Sequence, residues 1–208
     1  YACLGGNRYK WDEVADIDVT AVELDPFAAE LYAERFPNDT VIVADAHQYL
    51  LNHYKEYDFI WSSPPCPTHS RARFWGVGRN GKSPVYPDLK LYEEILFLQH
   101  HFDGKFLVEN VIPYYQPLIP AHKSDRHLYW ANFKLPTILS MRTAGVCQGS
   151  QEIKKLSEFH DFDFTLYNGK QRVAKMARNL VDYEAGKTIF ETACGIIRKQ
   201  DQQQLQLL

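Results

Sequence analysis

A cysteine set among prolines is the strongest chemical signal in the chain. Ser62-Ser63-Pro64-Pro65-Cys66-Pro67-Thr68-His69-Ser70 follows the apolar run Tyr57-Asp58-Phe59-Ile60-Trp61, which reads as a buried strand. Each proline fixes its own φ and biases the preceding residue toward extended backbone, so Cys66 sits on a stiff loop. A thiolate held at one angle is a nucleophile. A second apolar strand over Lys105 to Val108 ends in Glu109-Asn110-Val111, a carboxylate and an amide at another strand end. Cys66 and Glu109 together point to covalent catalysis with an acid partner. A lone cysteine at a strand end ordinarily packs as a small hydrophobe, and a lone Glu109 would cap a turn, so the pairing carries the argument.

The elements that must position these groups alternate between strands and helices. Strands are expected at Tyr1–Leu4, Asp18–Leu24, Thr40–Ala44, Tyr57–Trp61 and Lys105–Val108, with helices at Pro26–Phe36, His47–Lys55 and Asp88–His101 and a short helical stretch at Arg8–Ala15. Asp25 is a natural N-cap, with Pro26 at the first helical position. Such alternation implies an α/β fold, a parallel sheet with helices on both faces. Ligands of such folds bind at the carboxyl ends of the strands, where Gly5-Gly6, Glu23, Asp45, Cys66 and Glu109 all fall. Beyond residue 111 the pattern changes. His127–Phe133 alternates like a strand, 134–171 lacks strong periodicity and reads as a small irregular lobe, and helices are expected at Gln171–Ala177 and Asp182–Arg198.

At 208 residues, 45% hydrophobic and 14% aromatic, the chain can fill one domain, or one domain with a small lobe. It has no run of 18 apolar residues, so no membrane partner is expected, and no signal peptide is evident. It opens at Tyr1-Ala2-Cys3 without Met, and a few native residues are expected before it. Cys3, Cys66, Cys147 and Cys194 show neither CxxC spacing nor a metal-ligand pattern, so no metal is expected and a reducing, cytoplasmic setting is. The net charge of −3 speaks against a generally basic nucleic-acid binder. Its distribution is more telling. No acid occurs between Asp58 and Asp88, where Arg71, Arg73, Arg79 and Lys82 surround Phe74 and Trp75, or between Asp163 and Asp182, where Lys170, Arg172, Lys175 and Arg178 stand. Two basic segments on an acidic chain fit a cleft that holds phosphates.

The strand-end residues also suggest a nucleoside-containing cofactor. A Gly5-Gly6 turn lets backbone approach a ligand. Glu23, seventeen residues beyond Gly6, is placed to accept ribose hydroxyls, and Asp45 to take an adenine amino group.

At this point the chain resembles the DNA cytosine C5-methyltransferases, of the compact kind found in phages and prophages. Tyr1-Ala2-Cys3-Leu4-Gly5-Gly6 resembles the family's opening Phe-x-Gly-x-Gly-Gly, which wraps S-adenosylmethionine. Val22-Glu23-Leu24-Asp25 resembles its ribose-binding segment, and Asp45 its adenine contact. Pro64-Pro65-Cys66 resembles the Pro-Cys nucleophile motif and Glu109-Asn110-Val111 the Glu-Asn-Val motif, 43 positions apart. Arg126 resembles the last arginine of Gln-x-Arg-x-Arg, and Arg178-Asn179-Leu180-Val181 the closing Gly-Asn-x-Val. Departures are Cys3 and Arg178 where glycines are usual, Pro67 in place of Gln, and an arginine motif reduced to Arg126. The resemblance implies a Rossmann-like S-adenosylmethionine-dependent methyltransferase sheet. Residues 1–132 and 172–208 would form the catalytic domain and 133–171 a small target-recognition lobe.

It further implies that Cys66 attacks carbon 6 of a flipped cytosine, Glu109 supports ring N3 and Arg126 holds the carbonyl O2. Tyr1, Gly5, Gly6, Glu23, Leu24, Asp45, Ala46, Pro64, Asn179 and Val181 would hold S-adenosylmethionine. Ser70, Arg71, Arg73, Arg79, Lys82, Arg142 and Arg172 would contact double-stranded DNA, with Gly76, Gly78 and Gly81 giving the 71–82 loop mobility and Gln148 and Lys154 as further candidates in the lobe. A monomer is expected, with a short recognition site of two to four bases. Open alternatives are an N4-cytosine amino-methyltransferase, suggested by Ser63-Pro64-Pro65, an RNA C5-methyltransferase, and a non-catalytic DNA-binding module. A cofactor bearing a carboxylate, met by Arg178, is a further variant.

Overall fold

The computed structural model describes residues 1–71, 86–140 and 151–196. They divide into two units, one of Tyr1 with His47–Leu135, the other of Ala2–Ala46 with Pro136–Leu208. The fold is α/β and Rossmann-like, with parallel strand pairs linked through helices.

The first unit is built on a four-stranded sheet, order β3-β4-β6-β5. Its strands are β3 (Phe59–Ser62), β4 (Lys105–Val111), β5 (His122–Ser124) and β6 (His127–Ala131). β3 and β4 run parallel, with Ser62 opposite Val108. β4 lies between two neighbours, and Phe106 through Asn110 are all buried, which is why it reads as an unbroken apolar run before its polar end. Helix α3 (Lys90–His101) connects β3 to β4, the crossover that a parallel pair requires. Its Leu91, Ile95 and Leu98 pack with Ile60, Phe106 and Val108 in the core of this unit. Each contributes about 2 kcal/mol by leaving water. β6 returns antiparallel to β4, so the sheet is mixed rather than wholly parallel. The chain reaches β6 through a loop and the short β5, with no helix to carry it back to the other end.

In the second unit, β1 (Thr20–Glu23) and β2 (Thr40–Val43) pair in parallel around α1 (Pro26–Arg35). Asp25 caps α1 by accepting the Phe27 amide, as expected, a contribution of about 1 kcal/mol. Helix α2 (Ala46–His53) follows β2 in sequence and, from His47 on, belongs to the first unit. Later come α4 (Glu152–His160), α5 (Val173–Arg178) and α6 (Tyr183–Ala193).

Three expectations are corrected. Residues 1–4 are not a strand: Cys3 at φ +50° and Gly5 at φ +67° turn the backbone, and the Ala2 amide makes one bond to the Val22 carbonyl. Arg8–Ala15 contains only a 3-10 turn at Trp11–Glu13. Within 134–171, α4 is regular helix; two of its three buried positions are Glu152 and His160, which no apolar pattern announces. No described helix is long and apolar enough to cross a membrane.

Candidate active site

Beyond β3 the chain runs Ser63-Pro64-Pro65 and reaches Cys66, a half-buried thiol. Prolines lack an N–H, so this loop is held by what its carbonyls accept. The Asn110 side-chain amide donates to the Pro64 carbonyl (2.9 Å), while its oxygen accepts the Val111 amide (2.9 Å). The Cys66 carbonyl accepts the amides of His69 and Ser70, both at 3.0 Å, closing a turn behind the thiol. Ser70 bridges Pro113, the Tyr114 amide donates to the His69 carbonyl (3.2 Å), and Arg71 Nε donates to the Pro113 carbonyl (3.3 Å). The cysteine loop is thus laced to the segment that follows Glu109-Asn110.

Glu109 is buried near the end of β4, and His127 Nε2 lies 3.6 Å from its Oε1. His127 opens β6, diagonal to Glu109 across the antiparallel pair. Arg126 sits beside it in the two-residue turn between β5 and β6, where Asp125 takes φ +50° and the Arg126 carbonyl accepts the Ile112 amide (3.1 Å). β3 and β4 end where β6 begins. Topology therefore gathers Cys66, Glu109, Asn110, Arg126 and His127 at one end of the mixed sheet. His127 reads from sequence as sheet packing; its place beside Glu109 depends on a register that only the fold reveals.

Glu94 was not apparent from sequence either. It lies on α3, is 0% exposed, and accepts three side-chain donors: Tyr1 (2.9 Å), His47 Nδ1 (2.9 Å) and Ser62. One buried carboxylate thereby ties the residue that ends β3 to the start of α2 and to Tyr1. Three donors meet the solvation that a buried charge would otherwise lack. Tyr1, expected at the cofactor, gives its hydroxyl to Glu94.

The second unit gathers most of the cofactor candidates. Glu23 accepts the Cys3 amide on one oxygen (2.8 Å) and the Leu24 and Asp25 amides on the other (2.9 and 3.0 Å). A carboxylate offers about four acceptor positions, so Glu23 has room for one ribose hydroxyl on these bonds rather than two. Leu24 beside it is 67% exposed, and Asp45 at the end of β2 is exposed too, with Ala46 opening α2. A Cβ on Gly6 would lie 2.6 Å from the Val181 carbonyl oxygen, so only glycine lets this turn meet the 179–181 segment. Asn179 ends α5 and is exposed; Val181 is buried. Arg178 forms a bidentate pair with buried Glu152, both contacts 2.5 Å, which lowers the Glu152 pKa and leaves the guanidinium committed. That commitment removes the motive for a carboxylate-bearing cofactor. Cys3 Sγ donates to Met176 Sδ (3.0 Å); desolvation, then the Glu23 charge, push its thiol up to about 12. An amide-oriented carboxylate with an exposed apolar neighbour at a strand end fits the ribose and base of S-adenosylmethionine.

Pro64 and Tyr1 belong to the first unit, with Cys66, Glu109, Arg126, Ser70 and Arg71; Arg172, exposed at the start of α5, belongs to the second. Arg73, Arg79, Lys82, Arg142, Gln148, Cys147 and the glycines at 76, 78 and 81 lie outside the described residues. Among the described residues no cluster of three metal-ligating side chains occurs.

Two solved structures show the likeness found by comparison. One is Spodoptera frugiperda DNMT2, at 19% identity and TM-score 0.41, covering 69% of this chain and 51% of the other. The second is the Entamoeba histolytica methyltransferase EhMeth, at 10% identity and TM-score 0.40, covering 69% and 56%. The chain spans about half the length of these structures. Among curated proteins none matches. The model of the C-5 cytosine-specific DNA methylases matches residues 1–112, just over half of the 208. The chain belongs to the C-5 cytosine-specific DNA methylase family.

Proposed function

We propose that the protein methylates carbon 5 of cytosine in double-stranded DNA, using S-adenosylmethionine and a covalent adduct at Cys66. The observation that carries this reading is the lacing of the Cys66 loop to the Glu109-Asn110 strand end through the Asn110–Pro64 bond. A nucleophile and an acid must be held together, and here one side chain links their two segments.

Carbon 5 of cytosine is a poor nucleophile. Addition of the Cys66 thiolate at carbon 6 turns the ring into an enamine, and carbon 5 then carries the reactive electron pair. Glu109 hydrogen-bonds ring N3 as charge builds there. Arg126, in the turn beside Glu109, holds the carbonyl O2. When bound, S-adenosylmethionine supplies an electrophilic methyl group on a sulfonium. Loss of the carbon 5 proton then expels Cys66 and restores the aromatic ring. Glu23, Leu24, Asp45 and Ala46 would hold the ribose and base of the cofactor, with Gly5, Gly6, Asn179 and Val181 shaping the turn beside them. The target base is extruded from the duplex, since its ring carbons are unreachable within the stack. Arg71, Arg172 and the basic residues Arg73, Arg79 and Lys82 would hold phosphates. The 133–171 segment would read the target bases.

The test is nucleoside mass spectrometry on unmodified DNA after incubation with the protein and S-adenosylmethionine. The expected result is new 5-methylcytosine, with Cys66→Ala lowering the yield at least about a thousandfold and leaving S-adenosylmethionine affinity within about twofold. N4-methylcytosine, or modification of RNA alone, would replace the reading. Unmodified nucleic acid from folded protein would favour a binding module.

A further inference from the structure

A set of hydroxyls behind the cysteine loop takes no part in the bond-making just described. His69 is 1% exposed, and its Nδ1 lies 2.6 Å from the Tyr115 hydroxyl. Tyr115 also accepts from the Tyr92 hydroxyl (3.4 Å), and the Tyr92 oxygen accepts the Leu118 amide (3.3 Å). The relay therefore starts at a main-chain amide, crosses two phenols and ends on the imidazole. Burial holds the His69 pKa below its ordinary value, against the opposing pull of Asp88, so the ring is neutral near pH 7. A neutral imidazole in a tyrosine relay serves as an anchor rather than a charge.

The main chain of His69 is held as firmly as its ring. Its amide donates to the Cys66 carbonyl (3.0 Å), and its carbonyl accepts the Tyr114 amide (3.2 Å). His69 therefore passes restraint from the 114–118 segment straight to the residue that carries the thiol. We infer that His69, pinned by Tyr115 and through it by Tyr92, is a positioning residue that fixes the attack angle of Cys66. The inference rests on the covalent reading of Cys66 proposed above. A displacement of about 1 Å at a reacting group can cost about a hundredfold in rate, so loosening one link of this relay should be visible in the chemistry.

Tyr115→Phe removes one oxygen and keeps the ring. In the full chain, the rate at which iodoacetamide alkylates Cys66, followed by peptide mass spectrometry, should rise about threefold as the half-buried thiol opens more often. Single-turnover methylation of duplex DNA should fall about tenfold while the Kd for S-adenosylmethionine stays within about twofold. Tyr92→Phe, one link further back, should move both rates the same way by less, and it decides the matter should Tyr115→Phe fail to fold. Unchanged Cys66 alkylation and unchanged single-turnover rates in the folded variants would overturn the inference. So would losses that merely track melting temperature, with cofactor affinity falling in step. Should the wild-type chain methylate nothing, the proposed reaction falls; Cys66 alkylation still decides whether the relay holds the loop.

Discussion

In the unit built on β3, β4, β6 and β5, loops are tied down by side chains that reach across the sequence. In the unit built on β1 and β2, the tie around Glu23 is a single carboxylate that gathers main-chain amides, while Arg35 reaches the Leu4 and His160 carbonyls and Tyr167 reaches Asp25. Around Cys66 the restraints are Asn110 on Pro64, Tyr115 on His69 and Ser62 on Glu94. Around Glu23 they are the amides of Cys3, Leu24 and Asp25, with Gly6 against the Val181 carbonyl. The contrast suits the two tasks proposed for these regions. A nucleophile needs one angle for one atom, which distant side chains can set and a few substitutions can retune. A nucleoside is held by many weak contacts, which a close-fitting backbone turn supplies without rotamer entropy.

Substitutions sharpen this contrast. The largest effect is expected for Glu94→Ala, which strands three donors at once: stability measured by urea unfolding should fall by about 3 kcal/mol. A loss below about 1 kcal/mol would mean that the network is not what orders the unit. Gly6→Ala comes next. Its new methyl meets a carbonyl oxygen at 2.6 Å and Leu180 Cβ at 3.1 Å, so backbone must move, at about 2 kcal/mol. Calorimetry should show S-adenosylmethionine binding weakened about tenfold while the alkylation rate of Cys66 is unchanged. Altered Cys66 reactivity would break the division of labour. The smallest effect belongs to Arg178→Ala, about 1 kcal/mol at pH 7 given the half-exposed guanidinium. Arg178 holds the Glu152 pKa below its ordinary 4.5. The pair's stabilisation is therefore present above that value and is lost as pH falls through the depressed one. Thermal denaturation should show wild type and variant converging at low pH; a gap that persists there would refute the ion-pair account.

Local rules recovered much of this molecule. Asp25-Pro26 marks the start of α1, and apolar, β-branched-rich segments at 20–23, 40–43, 59–62 and 105–111 mark strands, because caps and strand composition leave signatures within a few residues; only the 105–111 strand is buried almost throughout. Cys66 and Glu109 stand out in sequence as candidates for a related reason: one follows an apolar strand by a short proline loop, and the other is the first polar residue after the apolar part of its strand. Glu94 does not. In sequence it is the second of two glutamates on an amphipathic helix, and what turns it inward are partners 93, 47 and 32 positions away. His127 was hidden by register, and α4 by the polar residues on its buried face. The opening segment shows a different limit: no side-chain pattern announces that Cys3 takes a left-handed conformation. That conformation does explain why a glycine is usual there in the family.

Glu94 also bears on how the chain matures as it is made. All three of its donors, Tyr1, His47 and Ser62, precede it in sequence. Until residue 94 has left the ribosome, those donors must remain with water or with other acceptors. The knot can close only after α3 has emerged, and then at the entropic cost of long loops. The cysteine loop would therefore be among the late features to set. A nascent chain stalled before residue 94 would carry its thiol without the frame that orients it.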